Sequence, residues 1–273
     1  MTYDEIREAA AVVAERTGRP EHRIAIVLGS GLAGYAATLP GAIEIPYADI
    51  PGFPVPGVEG HGGSLFSAQP GETPVLCFSG RVHTYEGWEM KKVVFGVRTA
   101  VAAGCSTIIL TNAAGGAGDG LQSGDLVLLT DHLNLTGRNP LAGANDDRLG
   151  PRFPDMSEVY APELREAART VASGANVELK EGIYAWFLGP SFETPAEVQM
   201  AKRLGADLVG MSTVPEAIAA RHMGSKVLGI SLVTNLAAGI SPVPLSHEEV
   251  QEAADEARGR FTAVVDGLLK TVT

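Results

Sequence analysis

Residues 106–116 read Ser-Thr-Ile-Ile-Leu-Thr-Asn-Ala-Ala-Gly-Gly, an apolar run that passes into a glycine-rich segment. Such a run, largely β-branched and bounded by turn formers, predicts a strand buried on both faces within a helix-covered sheet. We expect a loop at residues 113–116, at the carboxyl end of that strand, where open α/β sheets bind ligands. Its small side chains would let a ligand reach main-chain N–H and C=O groups. The alternative is an ordinary left-handed turn that leaves a core strand.

Length and composition limit the class of protein. The 273 residues are 45% apolar, which favours one large α/β domain over residues 1–273. The formal net charge of −11 argues against a nucleic-acid or anionic-membrane surface, because both recruit basic patches. Any bound anion must therefore be held by a local site. Cys77 and Cys105 lie in apolar contexts, so we expect two buried thiols in a cytoplasmic protein, without a signal peptide or membrane span.

A second glycine-rich segment follows the strand predicted at residues 23–28. Residues 29–34 read Gly-Ser-Gly-Leu-Ala-Gly and match the dinucleotide-binding pattern G-x-G-x-x-G. A dinucleotide fold also needs a full crossover helix and an acidic residue about 20 residues further on. Pro40 interrupts the chain too early for that helix. We therefore interpret the segment as a turn that offers backbone N–H groups and the Ser30 hydroxyl to a phosphate.

Residues 80–87, Gly-Arg-Val-His-Thr-Tyr-Glu-Gly, follow another predicted strand. If the backbone stays extended, Arg81, His83 and Tyr85 project to one side. A guanidinium, an imidazole and a phenol would then line one wall. The alternative is a solvated strand end. The preceding loop, at residues 51–63, is rich in Pro and Gly and contains His61.

Two glutamates with different predicted roles lie between a strand predicted at residues 176–188 and the first turn of the helix after it. Thr194 as the N-cap and Glu197 three residues later form a capping box, so we interpret Glu197 as structural. Glu193 remains outside the helix beside Phe192. A carboxylate there would accept hydrogen bonds from a ligand.

The same spacing recurs at residues 213–216. Thr213 is predicted to cap the next helix and Glu216 to close its box. That assignment leaves Ser212 at a strand end, facing the positive end of a helix, which is a favourable place for an anion.

Asn235 is predicted to lie in the loop that follows the last predicted strand, at residues 226–234. The closing helix is predicted to begin at Ser246, which places His247 in its first turn. The helix dipole disfavours protonation at that position, so we expect a neutral imidazole that hydrogen-bonds.

Together these strand ends offer donors for an anion and groups for a flat, polar ligand with hydroxyls. The sequence has no Ser-His-Asp order, HExxH pattern or Walker lysine motif, so acyl transfer and metal or nucleoside triphosphate hydrolysis have no support. The chemistry must come from bringing two bound partners together. The anion set is Ser30, Arg81, His83, Ala113 and Ser212, and the second set is Tyr85, Phe192, Glu193, Asn235 and His247.

Six of these motifs, in matching order, resemble those of the purine nucleoside phosphorylases of the trimeric class. They are the segments at residues 29–32, 80–87, 111–116, 189–197, 209–216 and 234–235, and the likeness runs from about residue 22 to the closing helix. It implies an α/β fold, a single domain with a central mixed, twisted β-sheet flanked by helices on both faces. It also implies a pentosyltransferase of purine salvage. Such an enzyme reversibly cleaves 6-oxopurine (deoxy)ribonucleosides such as inosine and guanosine, with inorganic phosphate as co-substrate and no cofactor or metal.

The resemblance implies a role for each matching residue. Asn235, Glu193 and His83 would be catalytic, with Asn235 at N7 and O6 of the purine and Glu193 at its N1–H. The resemblance also implies three sets of binding residues. Phosphate would be held by Ser30, His61, Arg81, His83, Ala113 and Ser212. The ribose would be held by Tyr85, Met211 and His247, and the purine by Phe192, Glu193 and Asn235.

Residues 136–155 form a long irregular stretch, which favours a functional loop or an interface. Phe153 within it resembles the aromatic residue that the family contributes to a neighbour's site, which implies a homotrimer. Leu236 departs from the pattern, because some members carry lysine there, and this leaves fine base preference open. Two alternatives remain: a methylthioadenosine phosphorylase, although that group places Asp where Asn235 stands, and a nucleoside-binding module without catalysis.

Overall fold

A computed structural model describes residues 1–57, 62–241 and 248–272 of the chain. In those residues the helices are α1 (Tyr3–Thr17), α2 (Met90–Val93), α3 (Phe95–Ala102), α4 (Pro162–Gly174), α5 (Pro195–Arg203), α6 (Val214–His222) and α7 (Glu248–Thr271). The strands are β1 (Ile24–Val27), β2 (Ile43–Pro46), β3 (Ser64–Ala68), β4 (Val75–Ser79), β5 (Thr107–Gly116), β6 (Leu126–Asn134), β7 (Leu179–Trp186), β8 (Leu208–Gly210) and β9 (Lys226–Leu236).

The strands form one mixed sheet in the order β2-β3-β4-β1-β5-β8-β7-β6-β9. β5 also pairs with β9, so β5, β8, β7, β6 and β9 close into a ring of pairings. A closed ring buries the hydrogen-bonding groups of strands that would otherwise lie at a sheet edge. The sequence did not predict this ring, because it depends on pairings between distant strands.

Helices cover both faces of the sheet, which confirms the predicted fold class. Ala25 and Val27 of β1 belong to the apolar cluster that contains buried residues of α1, α3 and α6. Ile24 and Ile26 point the other way, into the cluster that contains α4 and α7. The alternation follows from the two-residue period of a strand. Because both faces are buried, β1 is apolar throughout, as predicted for a covered sheet.

The central strand is longer than predicted. β5 runs on through Gly116 and pairs in parallel with β9, whose end is Leu236, with a register shift between Ala114 and Gly115. The loop expected at residues 113–116 is therefore wrong, since these residues satisfy their backbone groups against β9. Asn235 likewise lies within β9 and not in a loop. The small side chains at residues 113–115 leave the strand backbone accessible from a pocket beside it.

The helices also differ from the sequence-based assignments. The sequence predicts one helix at residues 88–103, and the structure has two shorter helices there, α2 and α3, which meet at Val94. α7 is described from Glu248, so Ser246 and His247 lie outside the described residues. None of the helices in residues 1–57, 62–241 and 248–272 is both long and apolar enough to span a membrane.

The glycine-rich segment after β1 is a packing element. Gly31 has φ 76°, and a Cβ added there would lie 2.4 Å from the Cβ of Ala254 in α7. A short 3-10 helix at Ala33–Thr38 follows in place of a crossover α-helix. Close packing against α7 therefore accounts for Gly31, and the 3-10 helix stands where a dinucleotide fold has a crossover α-helix.

We expect Gly31→Ala to lower the free energy of unfolding by about 1–3 kcal/mol, because alanine disfavours positive φ and its Cβ overlaps Ala254. Gly34→Ala is the matched control, since a Cβ there meets nothing within 4 Å. The control should stay within about 0.5 kcal/mol of the parent. Urea unfolding of the three proteins measures both values, and equal effects would contradict the packing role of Gly31.

Candidate active site

A pocket of about 320 Å³ opens beside the ends of several strands. Its wall contains most of the side chains that the sequence singled out, together with residues of β5 and β8. The lining residues are Ser30, Arg81, His83, Tyr85, Ala113, Ala114, Gly115, Pro190, Phe192, Glu193, Val209, Gly210, Met211, Ser212, Thr234, Asn235, Ala237 and Val250.

Two opposed sets of strands meet at this pocket. β1, β4, β5 and β9 are parallel, so their carboxyl ends lie at one edge of the sheet. β8 is antiparallel to β5 and pairs with Gly115 and Gly116, at the very end of that strand. β7 is parallel to β8. The segments after β7 and β8 therefore reach the same pocket from the opposite direction.

Ten of the thirteen predicted site residues line the pocket. His61 and His247 lie outside the described residues. Phe153 lies elsewhere, with 87% of its surface exposed. It lines a separate cleft together with His132, Asn134, Asn139, Leu141, Ala142, Arg152, Pro154, Met156 and Ile218. Within one chain, therefore, the structure does not bring Phe153 to the pocket.

Glu216 does not close a capping box, and that prediction is wrong. Thr213 has φ 69° and its side chain makes no capping hydrogen bond. The Glu216 carboxylate is instead buried, and its Oε2 lies 3.0 Å from Nε of Arg81. A buried guanidinium requires a counter-charge, and that requirement outweighs a capping hydrogen bond at the helix end.

Arg81 lines the pocket but is mostly buried, and several of its donors are directed into the protein. Nη1 donates to the Thr111 carbonyl at 2.7 Å and Nη2 to the Val27 carbonyl at 3.4 Å. With Nε bound to Glu216, these contacts use three of the five N–H groups of the guanidinium. By this count, two N–H groups remain for a ligand. The side chain is held in place before any ligand arrives.

The backbone at His83 is not extended for as long as predicted. It turns into a 3-10 helix at Thr84–Glu86, and the Glu86 carboxylate accepts from the His83 amide at 2.7 Å and the Gly57 amide at 2.9 Å. The His83 ring stacks on Tyr85 with a centroid separation of 4.7 Å. The two side chains thus share one wall through the turn and the stacking, and not through strand alternation.

Burial controls the charges of this wall. It lowers the pKa of His83, although the contact with Glu86 partly opposes the shift, so the imidazole is neutral at pH 7. It raises the pKa of Tyr85 to about 12. Burial would raise the pKa of Glu86 as well, but hydrogen bonds from His83 and Gly57 hold it at about 2. The phenol and the imidazole therefore act as neutral hydrogen-bonding groups.

Glu193 lines the same pocket and belongs to the segment that follows β7. It is 8% exposed, and its Oε1 is buried without a hydrogen-bond partner. Burial raises the pKa of the carboxyl group. Phe192 beside it is 45% exposed and offers an apolar ring. A buried acceptor without a donor is costly, so this position favours a ligand that brings an N–H or O–H group.

Asn235 is held by its neighbours in β9. Its Oδ1 accepts from the Thr234 hydroxyl at 2.8 Å, and its Nδ2 donates to the Leu236 carbonyl at 3.0 Å. A primary amide has a second N–H and a second lone pair, so one donor and one acceptor remain for a ligand. Asn235 can therefore recognise adjacent acceptor and donor atoms on a planar molecule.

Sequence reasoning missed several contributors. Glu216 was assigned to a helix cap, although a buried Arg81 would have demanded a carboxylate from somewhere. Tyr184 was missed because it lies within β7, yet its hydroxyl accepts from the Ser212 amide at 3.3 Å.

In the described part of the chain, no group of three or more His, Cys, Asp or Glu is arranged to hold a metal ion. The pocket can thus bind an anion near Arg81 and a planar polar group near Glu193.

Comparison with known proteins gives a consistent family. A family model described as "Phosphorylase superfamily" matches residues 23–270. The chain is 45% identical over 272 residues to purine nucleoside phosphorylase 1 of Geobacillus stearothermophilus, covering 100% of this chain and 99% of that protein. It is 50% identical over 260 residues to the purine nucleoside phosphorylase of Mycobacterium tuberculosis, covering 95% of this chain and 93% of that protein.

Solved structures give the same result. Isoform 2 of purine nucleoside phosphorylase from Schistosoma mansoni, in complex with cytosine and ribose-1-phosphate, aligns with a TM-score of 0.94 and 34% identity. A schistosoma purine nucleoside phosphorylase in complex with hypoxanthine aligns with a TM-score of 0.93 and 34% identity. Each alignment covers 100% of this chain and 98% of the other.

We expect Glu216→Gln to lower the free energy of unfolding by about 3 kcal/mol, because it leaves the Arg81 charge buried without a counter-charge. Glu197→Gln is the matched control. Glu197 closes the capping box of α5 at the surface, and glutamine can close the same box, so the loss of its charge should change stability far less than Glu216→Gln does. Chemical unfolding at pH 7 compares the two. A cost for Glu216→Gln no larger than that of the control would contradict the structural role of the buried pair.

Proposed function

The chain belongs to the phosphorylase superfamily, among its purine nucleoside phosphorylases, and on that premise we propose that it catalyses phosphorolysis. A purine nucleoside and inorganic phosphate would give the free base and ribose 1-phosphate, reversibly, as in purine salvage. The observation that carries this proposal is that the Arg81 guanidinium and the unpartnered Glu193 oxygen line one pocket. Two substrates bound beside them would meet there.

We propose that phosphate binds beside Arg81. Its donors would be the two unused N–H groups of the guanidinium and groups of other residues that line the same pocket: Ser30, His83, Ala113 and Ser212. Because His83 is neutral and Glu216 balances Arg81, a phosphate dianion would be held largely by oriented hydrogen bonds. His61 would join this set.

We propose that the purine lies between Phe192, Glu193 and Asn235. Glu193 would accept from the purine N1–H, which supplies the donor that its buried oxygen lacks. Asn235 would donate to O6 and accept from N7 when the departing base is protonated there. Tyr85, Met211 and His247 would contact the ribose between the phosphate and the purine.

The proposed mechanism stabilises separated charges. As the N-glycosidic bond breaks, the ribose becomes cationic and the purine anionic. The phosphate dianion beside the sugar stabilises the cation and then attacks its C1 atom, while Asn235 and Glu193 stabilise the leaving base. Phosphate is a co-substrate in this scheme, and no step assigns a role to a metal, a cofactor or a covalent enzyme intermediate.

We also propose a homotrimer in which Phe153 completes a neighbouring site. The supporting observation is that an 87% exposed aromatic ring lies in a cleft remote from its own pocket. Residues 1–273 would form one phosphorylase domain, and the buried free thiols of Cys77 and Cys105 suit a cytoplasmic enzyme. An active monomer in sedimentation experiments would contradict the shared site.

The first test is the dependence of base release on phosphate. We expect extensively dialysed enzyme to release hypoxanthine from inosine only after phosphate is added, because the described residues that line the pocket include one carboxyl group, Glu193, and not a pair that could activate water. Ultraviolet absorbance follows the reaction. Equal rates without phosphate would indicate a hydrolase, and tight inosine binding without any base release would indicate a binding module.

The second test concerns base choice. Adenosine presents an amino group to the Asn235 amide donor and lacks the N1–H that Glu193 would accept, so we expect inosine to be favoured by about a hundredfold or more in kcat/KM. Asn235→Asp should narrow that ratio, most clearly at lower pH, because a carboxyl group can accept from the 6-amino group.

The matched control for base choice is Asn176→Asp, which makes the same chemical change at an exposed turn. It should leave the ratio unchanged. An Asn235→Asp enzyme with the parental ratio would remove Asn235 from the purine edge. Efficient cleavage of methylthioadenosine by the parent enzyme would instead indicate a methylthioadenosine phosphorylase.

A further inference from the structure

Two buried residues lie directly behind Ser212. Asn112 and Thr213 are each 1% exposed, and neither contributes to the pocket wall. Nδ2 of Asn112 donates to Oγ1 of Thr213 at 2.9 Å. Oγ1 of Thr213 lies 3.1 Å from Oγ of Ser212. The three side chains thus form a chain of hydrogen bonds that leads from the core to the pocket.

The chemistry of the first member gives this chain a direction. An amide nitrogen only donates, so the Thr213 oxygen accepts from Asn112. In the described residues the other partner of the Thr213 hydroxyl is Oγ of Ser212, which is therefore the acceptor for its buried proton. The Ser212 oxygen then accepts a hydrogen bond from Thr213. The Ser212 hydroxyl can in turn donate its own proton to a ligand in the pocket that this residue lines. Hydroxyl protons rotate freely unless such partners orient them.

The backbone that holds this arrangement is strained. Thr213 has φ 69° and ψ −52°, and the Val214 amide donates to the Ser212 carbonyl at 2.7 Å. These features define the unfavourable form of the γ-turn, which is rare for any residue and worse for a β-branched one. Oδ1 of Asn112 is also buried without a hydrogen-bond partner. Costs of this kind persist mainly where a ligand site requires the geometry.

We propose that Asn112 and Thr213 are positioning residues that orient the Ser212 hydroxyl as a donor toward the bound anion. The inference rests on the proposed function, in which that anion is the co-substrate phosphate. Neither residue touches the substrate. Their effect passes through Ser212, so it should appear in phosphate binding and disappear when the Ser212 hydroxyl is absent.

A double-mutant cycle tests this proposal. Thr213→Val removes the hydroxyl and keeps the β-branched shape, whereas Thr213→Ser keeps the hydroxyl. We expect Thr213→Val to raise the KM for phosphate by about 5- to 20-fold, with the KM for inosine changed by less than about twofold. Thr213→Ser should remain within about twofold of the parent. In a Ser212→Ala background, Thr213→Val should add less than about twofold.

Three outcomes would overturn the proposal. The first is a double mutant in which the fold-increases in the KM for phosphate caused by Ser212→Ala and Thr213→Val multiply fully. The others are a KM for inosine that rises as much as the KM for phosphate, and a Thr213→Ser enzyme as impaired as Thr213→Val. If Thr213→Val does not fold, Asn112→Leu removes the first donor, and the same cycle with Ser212→Ala applies. Failure of the proposed function is a separate result, because it would appear as phosphate-independent base release by the parent enzyme.

Discussion

The ion pair between Arg81 and Glu216 is the interaction on which the site depends. A guanidinium can remain buried beside the pocket only because a carboxylate lies 3.0 Å from it. Glu216 belongs to the first turn of α6, whereas Arg81 follows β4, so the pair also ties the helix to the end of the strand. A stable position for Arg81 then allows the carbonyls of Thr111 and Val27 to fix the plane of its guanidinium.

The pair has an electrostatic consequence. Because Glu216 balances Arg81 and burial keeps His83 neutral, these three residues have no net charge between them. Specificity then depends on where the N–H and O–H donors point. The chain from Asn112 through Thr213 to Ser212 serves the same purpose as the ion pair, since each holds a donor in one orientation before a ligand binds.

Much of the site could be predicted because its residues lie next to strand ends. Arg81, Ser212 and Glu193 each follow an apolar run, and parallel strands end at a common edge. The capping box at Thr194 was also correct, since both partners are three residues apart on an exposed helix end. Information of this kind is local, and a short window of sequence contains it.

The errors arose where a distant partner decides the structure. Thr213 and Glu216 have the spacing of a capping box, but Glu216 binds a guanidinium 135 residues away. Residues 113–116 have the composition of a loop, but β9 lies beside them and extends the strand. The closed ring of strands has the same origin. The role of Phe153 stays a prediction, because its proposed partner belongs to another copy of the chain.

The central claim is that phosphate, and not water, receives the ribose. Phosphorus-31 nuclear magnetic resonance of a reaction with inosine and inorganic phosphate tests it directly, because it follows the phosphorus atom itself. We expect the phosphate signal to be replaced by that of ribose 1-phosphate in an amount equal to the hypoxanthine formed. Hypoxanthine and free ribose, with the phosphate signal unchanged from the start of the reaction, would contradict the account.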